Sequence, residues 1–193
     1  MKTLSEQAIK DRLRKLAKEQ GKSVNELLKK LYLERFLARL ARSNFKNQLI
    51  FKGDYLLRYY IKIERETKDL DFLFTQLNAE IPVIKKIFQS ICSLNRKDSF
   101  SITVLKVELL DHPHMTQNGF RVTLQIKHTE GTLKDNLQID LSVGDVVNAK
   151  SVAMSLLKYK SEPFFEDKIS LKAYPPELIF AEKLIAIISK GKI

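Results

Sequence analysis

The sequence contains one cysteine, Cys92, among 193 residues. That excludes an intrachain disulfide framework and argues against a structural zinc site of the cysteine-rich kind. Cys92 reads as a small buried hydrophobe near the end of a helix. No apolar run approaches the roughly 20 residues needed to cross a bilayer. The N-terminal segment is charged and amphipathic, with no apolar secretory core, so no membrane association is expected and cytoplasmic residence is the natural expectation. The G-x-x-x-x-G-K-[ST] spacing of a Walker loop is missing. Histidine is scarce as well: His112 and His114 flank Pro113 in a turn, where they can face solvent or touch an adventitious metal, and His128 has no nucleophile partner in view. No Ser-His-Asp or Cys-His arrangement is therefore supported. Internal repeats and low-complexity linkers are also missing.

What is present is a globular composition, 44% hydrophobic and 30% charged, long enough for one domain with room for a small second lobe. Lysine and arginine number 34 against 23 acidic residues, a net charge of +11. Such an excess favours association with a polyanion such as RNA, DNA or a nucleotide; ordinary solubility is the competing explanation. The basic residues lie along helical segments, among them Lys10, Arg12, Arg14, Lys15, Lys18, Lys22, Lys29 and Lys30.

Hydrophobic periodicity predicts the elements. Ile9, Leu13 and Leu16 mark one face of a helix from Glu6 to about Glu19, and Gly21 stops it. Ser23 and Glu26 form a capping box for a second helix ending near Ser43. Its broad apolar face, from Leu27 to Leu40, can close on the domain body or on another subunit. A strand over Gln48 to Lys52, a turn at Gly53 and a short helix carrying Leu56, Leu57, Tyr60 and Ile61 follow. Asp69 to Phe74 reads as a second strand, and Pro82 opens a helix reaching about Ser90. Phe100 to Leu110, Phe120 to Lys127 and Leu137 to Leu141 alternate as strands, with Ile102, Val104 and Lys106 assigned to one side of the first. Their short connections leave no room for crossover helices, so they pair antiparallel or in a mixed sheet. Ser161 to Lys168 reads as irregular, and a helix from Pro176 presents Leu178, Ile179, Ala181, Leu184, Ile185 and Ile188 as its apolar surface. We divide the chain into an N-terminal helical segment, 1–44, and a body, 45–193, which can form one compact unit.

Asp69 and Asp71 stand two apart on a predicted strand, so both carboxylates share one face. Like charges held close repel, and a divalent cation between them relieves the repulsion. Two magnesium ions about 4 Å apart would serve phosphoryl or nucleotidyl transfer. Surface carboxylates at a strand start are the plainer alternative. Asp140 lies between Ile139 and Leu141, where an unpaired buried carboxylate is costly. It either joins the pair as a third oxygen donor or sits on the polar face of an edge strand. Asp145 and Glu108 are poorer candidates. At Lys52 and Gly53 the backbone can turn into a helix whose free amides receive a phosphate. Asp54 would compete for those amides as an N-cap does. Lys183 can reach phosphate as a point charge or pair with solvent beside Glu182. Arg65 and Lys68 can orient phosphate or RNA, or simply populate a mixed-charge turn.

Five segments in order carry a resemblance: E-R-F-L-A-R-L at Glu34 to Leu40, L-I-F-K-G-D-Y-L-L at Leu49 to Leu57, R-E-T-K-D-L-D-F at Arg65 to Phe72, I-D-L-S-V-G-D at Ile139 to Asp145, and A-Y-P-P-E-L-I-F-A-E-K-L-I-A at Ala173 to Ala186. From about residue 23 onward the chain resembles the AbiEii/AbiGii nucleotidyltransferase family, toxin halves of bacterial type IV toxin-antitoxin and abortive-infection systems. The resemblance implies a polymerase-β-like fold of the α/β (α+β) class, a mixed sheet flanked by helices. It also implies Mg2+ dependence, transfer of a nucleoside monophosphate from an NTP to tRNA or other RNA, and restraint by a cognate antitoxin. Carried over, Asp69, Asp71 and Asp140 look like metal-binding and catalytic carboxylates and Lys183 like a catalytic or nucleotide-contacting lysine. Lys52, Gly53, Asp54 and Arg65 line the expected nucleotide turn. Two departures stand out. The family turn reads K-G-G where this chain has Lys52-Gly53-Asp54, so Asp54 is strained if the second position needs a glycine conformation, and otherwise alters the phosphate pocket. The resemblance also implies helices beyond A-E-K-L bearing an arginine and an R-D or K-D pair, whereas the sequence ends seven residues after Ala186, so the body is expected to be truncated.

A nucleotidyltransferase is thus the leading expectation. The alternative is a catalytically impaired relative acting as a nucleic-acid-binding or protein-interaction module. A helix-turn-helix DNA regulator, prompted by the basic N-terminal helices, fits poorly with the α/β pattern that follows.

Overall fold

The computed structural model describes residues 4–61, 69–75, 79–94, 98–110, 119–144, 147–165 and 168–190. Arg65, Lys68, His112, Pro113, His114 and Asp145 lie outside the described residues.

Two capped helices open the chain. In α1 (Glu6–Gln20) the Ser5 hydroxyl accepts from the Ala8 amide at 3.3 Å, and Gly21 ends the helix in the left-handed conformation, φ 63°. In α2 (Val24–Leu40) the Ser23 hydroxyl accepts from the Glu26 amide at 3.0 Å, as the capping box predicts. Every residue from Leu31 to Leu40 is buried, so the broad face of α2 closes on the chain's own core. Phe36 stacks on Phe88 of α4 (Ile81–Cys92), and meets Phe72 of β2 (Asp69–Phe74) edge to face. Cys92 is buried at the end of α4.

The remaining elements are β1 (Leu49–Lys52), α3 (Gly53–Tyr60), β3 (Phe100–Leu110), β4 (Gly119–His128), β5 (Lys134–Val143), β6 (Lys150–Ala153), β7 (Lys158–Tyr159), β8 (Glu162–Pro163), β9 (Ser170–Ala173) and α5 (Pro176–Lys190). Among the described residues seven strands make one mixed sheet in the order β3-β4-β5-β2-β1-β9-β6, and β7 and β8 form a separate small hairpin. The pairs β3–β4, β4–β5, β1–β2 and β6–β9 are antiparallel, while β2–β5 and β1–β9 are parallel. A mixed sheet flanked by helices is the α/β architecture expected. β5 lies inside the sheet, so Asp140 is not on an edge strand.

Two readings need correction. A register shift between Val104 and Lys106 resets the alternation of β3, so Lys106 pairs with Thr123 and Val107, not Lys106, continues the side of Ile102. Such a bulge puts two residues opposite one, which a strict period of two does not anticipate. Within Ser161 to Lys168, read as irregular, Glu162–Pro163 pairs as β8, and β9 follows unannounced because both strands are too short to show alternation. On α5, Ile179 is buried, but Leu184, Ile185 and Ile188 are exposed at 59%, 65% and 75%. Periodicity marks an apolar face without saying that anything covers it.

Candidate active site

β2 sends Leu70, Phe72 and Phe74 into the core and turns Asp69 and Asp71 to the other side, as the period of two requires. The two strands that flank β2, and two more beyond β5, then set the line of side chains that runs through Asp71. On the parallel neighbour β5, Asp140 is its register partner. On the antiparallel neighbour β1 the partner is Lys52. β4 places Arg121 opposite Asp140, and the bulge in β3 places Glu108 opposite Arg121. In-register side chains of adjacent strands share a face and are about 5 Å apart. Glu108, Arg121, Asp140, Asp71 and Lys52 therefore form one transverse line of charge across five strands, with Asp69 two residues away along β2.

Charge is unevenly settled along this line. The Arg121 guanidinium grips Asp140 bidentately, Nε to Oδ1 at 2.8 Å and Nη2 to Oδ2 at 2.7 Å. This hydrogen-bonded carboxylate holds the Arg121 pKa above its usual range. Asp71 is the opposite case. Burial pushes its carboxyl up to about 6, with the negative charge of Asp140 adding to the shift, Lys52 opposing it, and Asp54 and Asp69 contributing. An acid displaced upward by desolvation and like charges marks a place where negative charge is in excess.

The glycine turn closes against this acid. Gly53 has φ +76°, a conformation that L side chains rarely adopt, and a Cβ built there would lie 2.0 Å from Oδ2 of Asp71. Glycine is required twice over, by conformation and by contact. Asp54 is not in the left-handed region, so its replacement of a second glycine costs no strain of that kind. Nor is Asp54 the N-cap; that position belongs to Lys52, which offers no side-chain cap. Its carboxylate instead pairs with Lys183 of α5. The preceding residue of α5, Glu182, accepts from Lys52 Nζ at 2.8 and 3.0 Å. Lys52 Nζ also lies 5.3 Å from the centre of the Tyr174 ring, and the Tyr60 hydroxyl donates to the Tyr174 carbonyl at 2.9 Å. Two crossed ion pairs thus fasten α5 over the turn.

Of the residues singled out from the sequence, Asp69, Asp71, Asp140, Lys52, Gly53, Asp54 and Lys183 come together here. Arg121, Glu182 and Tyr174 join them through contacts that residue type and spacing do not announce. Arg121 was in principle accessible: the tight connection after His128 pairs Lys127 with Lys134, and counting back puts Arg121 opposite Asp140. Elsewhere, His128 is buried against Phe100, with its ring nitrogens near the Leu4 carbonyl and the Glu130 amide, a structural setting.

Hard oxygen donors sharing a face beside a cradle too tight for a Cβ suit a hard cation. Asp69 and Asp71 fit that role; Asp140 supplies the right donor type with both oxygens engaged by Arg121. Among the described residues no group of three or more His, Cys, Asp or Glu side chains converges as around an ion.

The arrangement defines a class: an α/β protein in which strand-borne carboxylates meet lysines at a glycine turn. Residues 35–193 match the family model described as nucleotidyl transferase AbiEii toxin, Type IV TA system, and the chain belongs to that family. Two crystal structures from Helicobacter pylori are similar at 14% identity. One is of a protein described as a nucleotidyltransferase, with a TM-score of 0.48 over 84% of this chain and 59% of that one. The other is of JHP933, with a TM-score of 0.49 over 85% and 58%. The chain thus spans less than two thirds of the length of either. No curated protein gives a match. No helix among the described residues is long and apolar enough to cross a membrane.

Proposed function

We propose that this protein is a magnesium-dependent nucleotidyltransferase that moves a nucleoside monophosphate from an NTP to an RNA acceptor such as tRNA, its toxicity held in check by a cognate antitoxin. The observation that carries the reading is the in-register line Arg121, Asp140, Asp71 and Lys52, with Asp69 beside it and Gly53 packed on Asp71. In the transfer an acceptor hydroxyl attacks the α-phosphorus and pyrophosphate leaves. Asp69 and Asp71, joined by Asp140, would hold Mg2+, which supplies charge neutralisation and activation of the acceptor hydroxyl when bound. The rest falls to the chain itself. Amides at the start of α3 receive phosphate oxygens, favoured by the helix dipole. Lys52 faces the carboxylates from β1 and lowers the cost of their charge. Lys183 meets the nucleotide by exchanging Asp54 for phosphate. Arg65 is proposed to orient phosphate from the segment before β2. The net charge of +11 favours a polyanionic acceptor.

Purified protein incubated with each α-labelled NTP, Mg2+ and total tRNA is expected to label RNA. Asp69→Asn and Asp71→Asn should each reduce labelling about a thousandfold, the loss of several kcal/mol of charge stabilisation. Unchanged labelling in these variants would reject the metal assignment.

A second reading, a binding module that retains the fold without transfer, draws on Asp54, whose pairing neutralises the lysine that would meet phosphate. Salt-sensitive RNA binding that survives both substitutions, without magnesium-dependent NTP binding, would favour it.

A further inference from the structure

Asp140 is the one carboxylate of the transverse line whose two oxygens are both taken by a single cation, Arg121, in the fork-to-fork geometry that gives guanidinium–carboxylate pairs their strength. The grip is not a buried structural staple. Arg121 and Asp140 side chains are 33% and 25% exposed, so water and small anions can compete for the guanidinium. Contrast the Arg39–Asp98 pair, 2% exposed on both sides. Arg121 also has other acids in its field: Asp69 and Glu108 both favour its charge, and Glu108 is engaged by Lys106 on the same strand. The guanidinium therefore stands between Asp140 on β5 and Glu108 on β3.

We propose that Arg121 is a positioning residue that gates Asp140. While the guanidinium holds both carboxylate oxygens, Asp140 is withheld from the cation site; when a triphosphate arrives, its anionic oxygens draw the guanidinium off and Asp140 is released toward Asp69 and Asp71. The chemistry that recognises Arg121 is that of phosphate, whose spacing of oxygens suits the same planar fork as a carboxylate. This inference rests on the nucleotide-transfer reading and deepens it. It makes completion of the site conditional on the anionic substrate, so that the cation site alone is weak and the loaded site is complete.

The test reads binding rather than turnover. Mn2+ binding to the full chain, followed by the electron-paramagnetic signal of the free ion, compares wild type with Arg121→Gln, Arg121→Lys, Asp140→Asn and the double variant Arg121→Lys with Asp140→Asn. Lysine keeps the charge and loses the fork. Arg121→Lys is expected to tighten Mn2+ binding roughly fivefold, the scale of a partly exposed ion pair removed as a competitor. That gain should vanish in the double variant. In a separate titration of inorganic triphosphate in the presence of EDTA, Arg121→Gln is expected to weaken binding about tenfold. Circular dichroism confirms that the variants fold.

If Arg121→Lys binds Mn2+ as wild type does while Arg121→Gln binds it more tightly, only the field of the charge matters and the gate is overturned. Tightening that persists in the double variant, or triphosphate binding indifferent to Arg121, overturns it as well. These failures leave the nucleotidyltransferase reading standing provided that Asp69→Asn and Asp71→Asn abolish Mn2+ binding. Mn2+ binding unaffected by either of those two substitutions sinks both.

Discussion

Asp71 is held under electrostatic tension by its surroundings. Its carboxyl, ordinarily at 3.8, is raised to about 6 first by burial and then by Asp140. The folded protein therefore holds this proton more tightly than the unfolded chain does. Between pH 4 and 6 the folded state binds more protons, so stability contributed here is present at low pH and lost as pH rises through 6. The full loss is at most ~3 kcal/mol, at about 1.4 kcal/mol per pKa unit. Asp71→Asn is thus expected to be more stable than wild type at pH 7.5, with the gap closing by pH 4, as urea titrations at the two values would measure. A variant less stable than wild type at pH 7.5 would contradict the assignment. The trade is one expected where charge is gathered for a ligand: the side chain that weakens the empty fold is the one proposed to hold the cation.

At the level of elements, α1 and α5 are each tied to the sheet by specific polar contacts. The first residue of α1, Glu6, accepts from the Leu133 amide at 2.9 Å and from the Thr132 hydroxyl at 3.0 Å, and also pairs with Lys10. This ties α1 to the turn joining β4 and β5, where Gly131 leaves room for the carboxylate: a Cβ there would lie 1.7 Å from Oε2 of Glu6. The Lys10 bond, followed by the Leu133 amide, holds the Glu6 carboxyl down at about 2. With a depressed folded value, its stabilisation is present above the ordinary pKa of 4.5 and lost as pH falls toward 2. Glu6→Gln should therefore be destabilised relative to wild type at pH 7 and converge with it near pH 2, and hydrogen exchange should rise first in α1. Equal stability at both pH values would show that the contact contributes nothing measurable. α5 is fastened in a comparable way at the other end of the chain, through Glu182 to Lys52 and Lys183 to Asp54. Beyond those pairs its Leu184, Ile187 and Ile188 stand exposed.

On the scale of the whole molecule, the two faces of the sheet are held to different standards. One is closed by α2 and α4 over an aromatic core, and it contains an ionic knot that periodicity does not reveal. Arg39 donates to both oxygens of Asp98 at 2.9 and 3.0 Å and to the Phe100 carbonyl at 2.7 Å, while Arg35 stacks 4.2 Å over Phe165. Asp98 thus joins α2 to the start of β3. Its loss leaves a buried guanidinium without its counter-ion, which typically costs about 3–5 kcal/mol. Asp98→Ala is expected to lower the urea midpoint accordingly without changing the residues of the candidate site; a loss below ~1 kcal/mol would mean that water or a neighbour replaces the carboxylate. The other face carries the transverse line of charge, with the buried pair Ile50 and Leu73 next to it.

Much of this was legible in the chain. The capping residues and Gly21 announce α1 and α2, the period of two announces β2, β4 and β5, and the D-L-D spacing is enough to put Asp69 and Asp71 on one face. These are local properties, set by backbone geometry and side-chain alternation within a few residues. What only the tertiary structure decided is which strand lies beside which, and by what register. Asp140 stands next to Asp71 because β5 runs parallel beside β2, and Glu108 reaches Arg121 because a single bulge shifts β3 by one residue. Asp54 reads alone as a rival for the phosphate turn, and in the fold it is the partner of Lys183, 129 residues away. Pairing across such separations depends on the balance of the whole core, so residue types and spacings announce the carboxylates, while the folded sheet decides which of them a cation can reach.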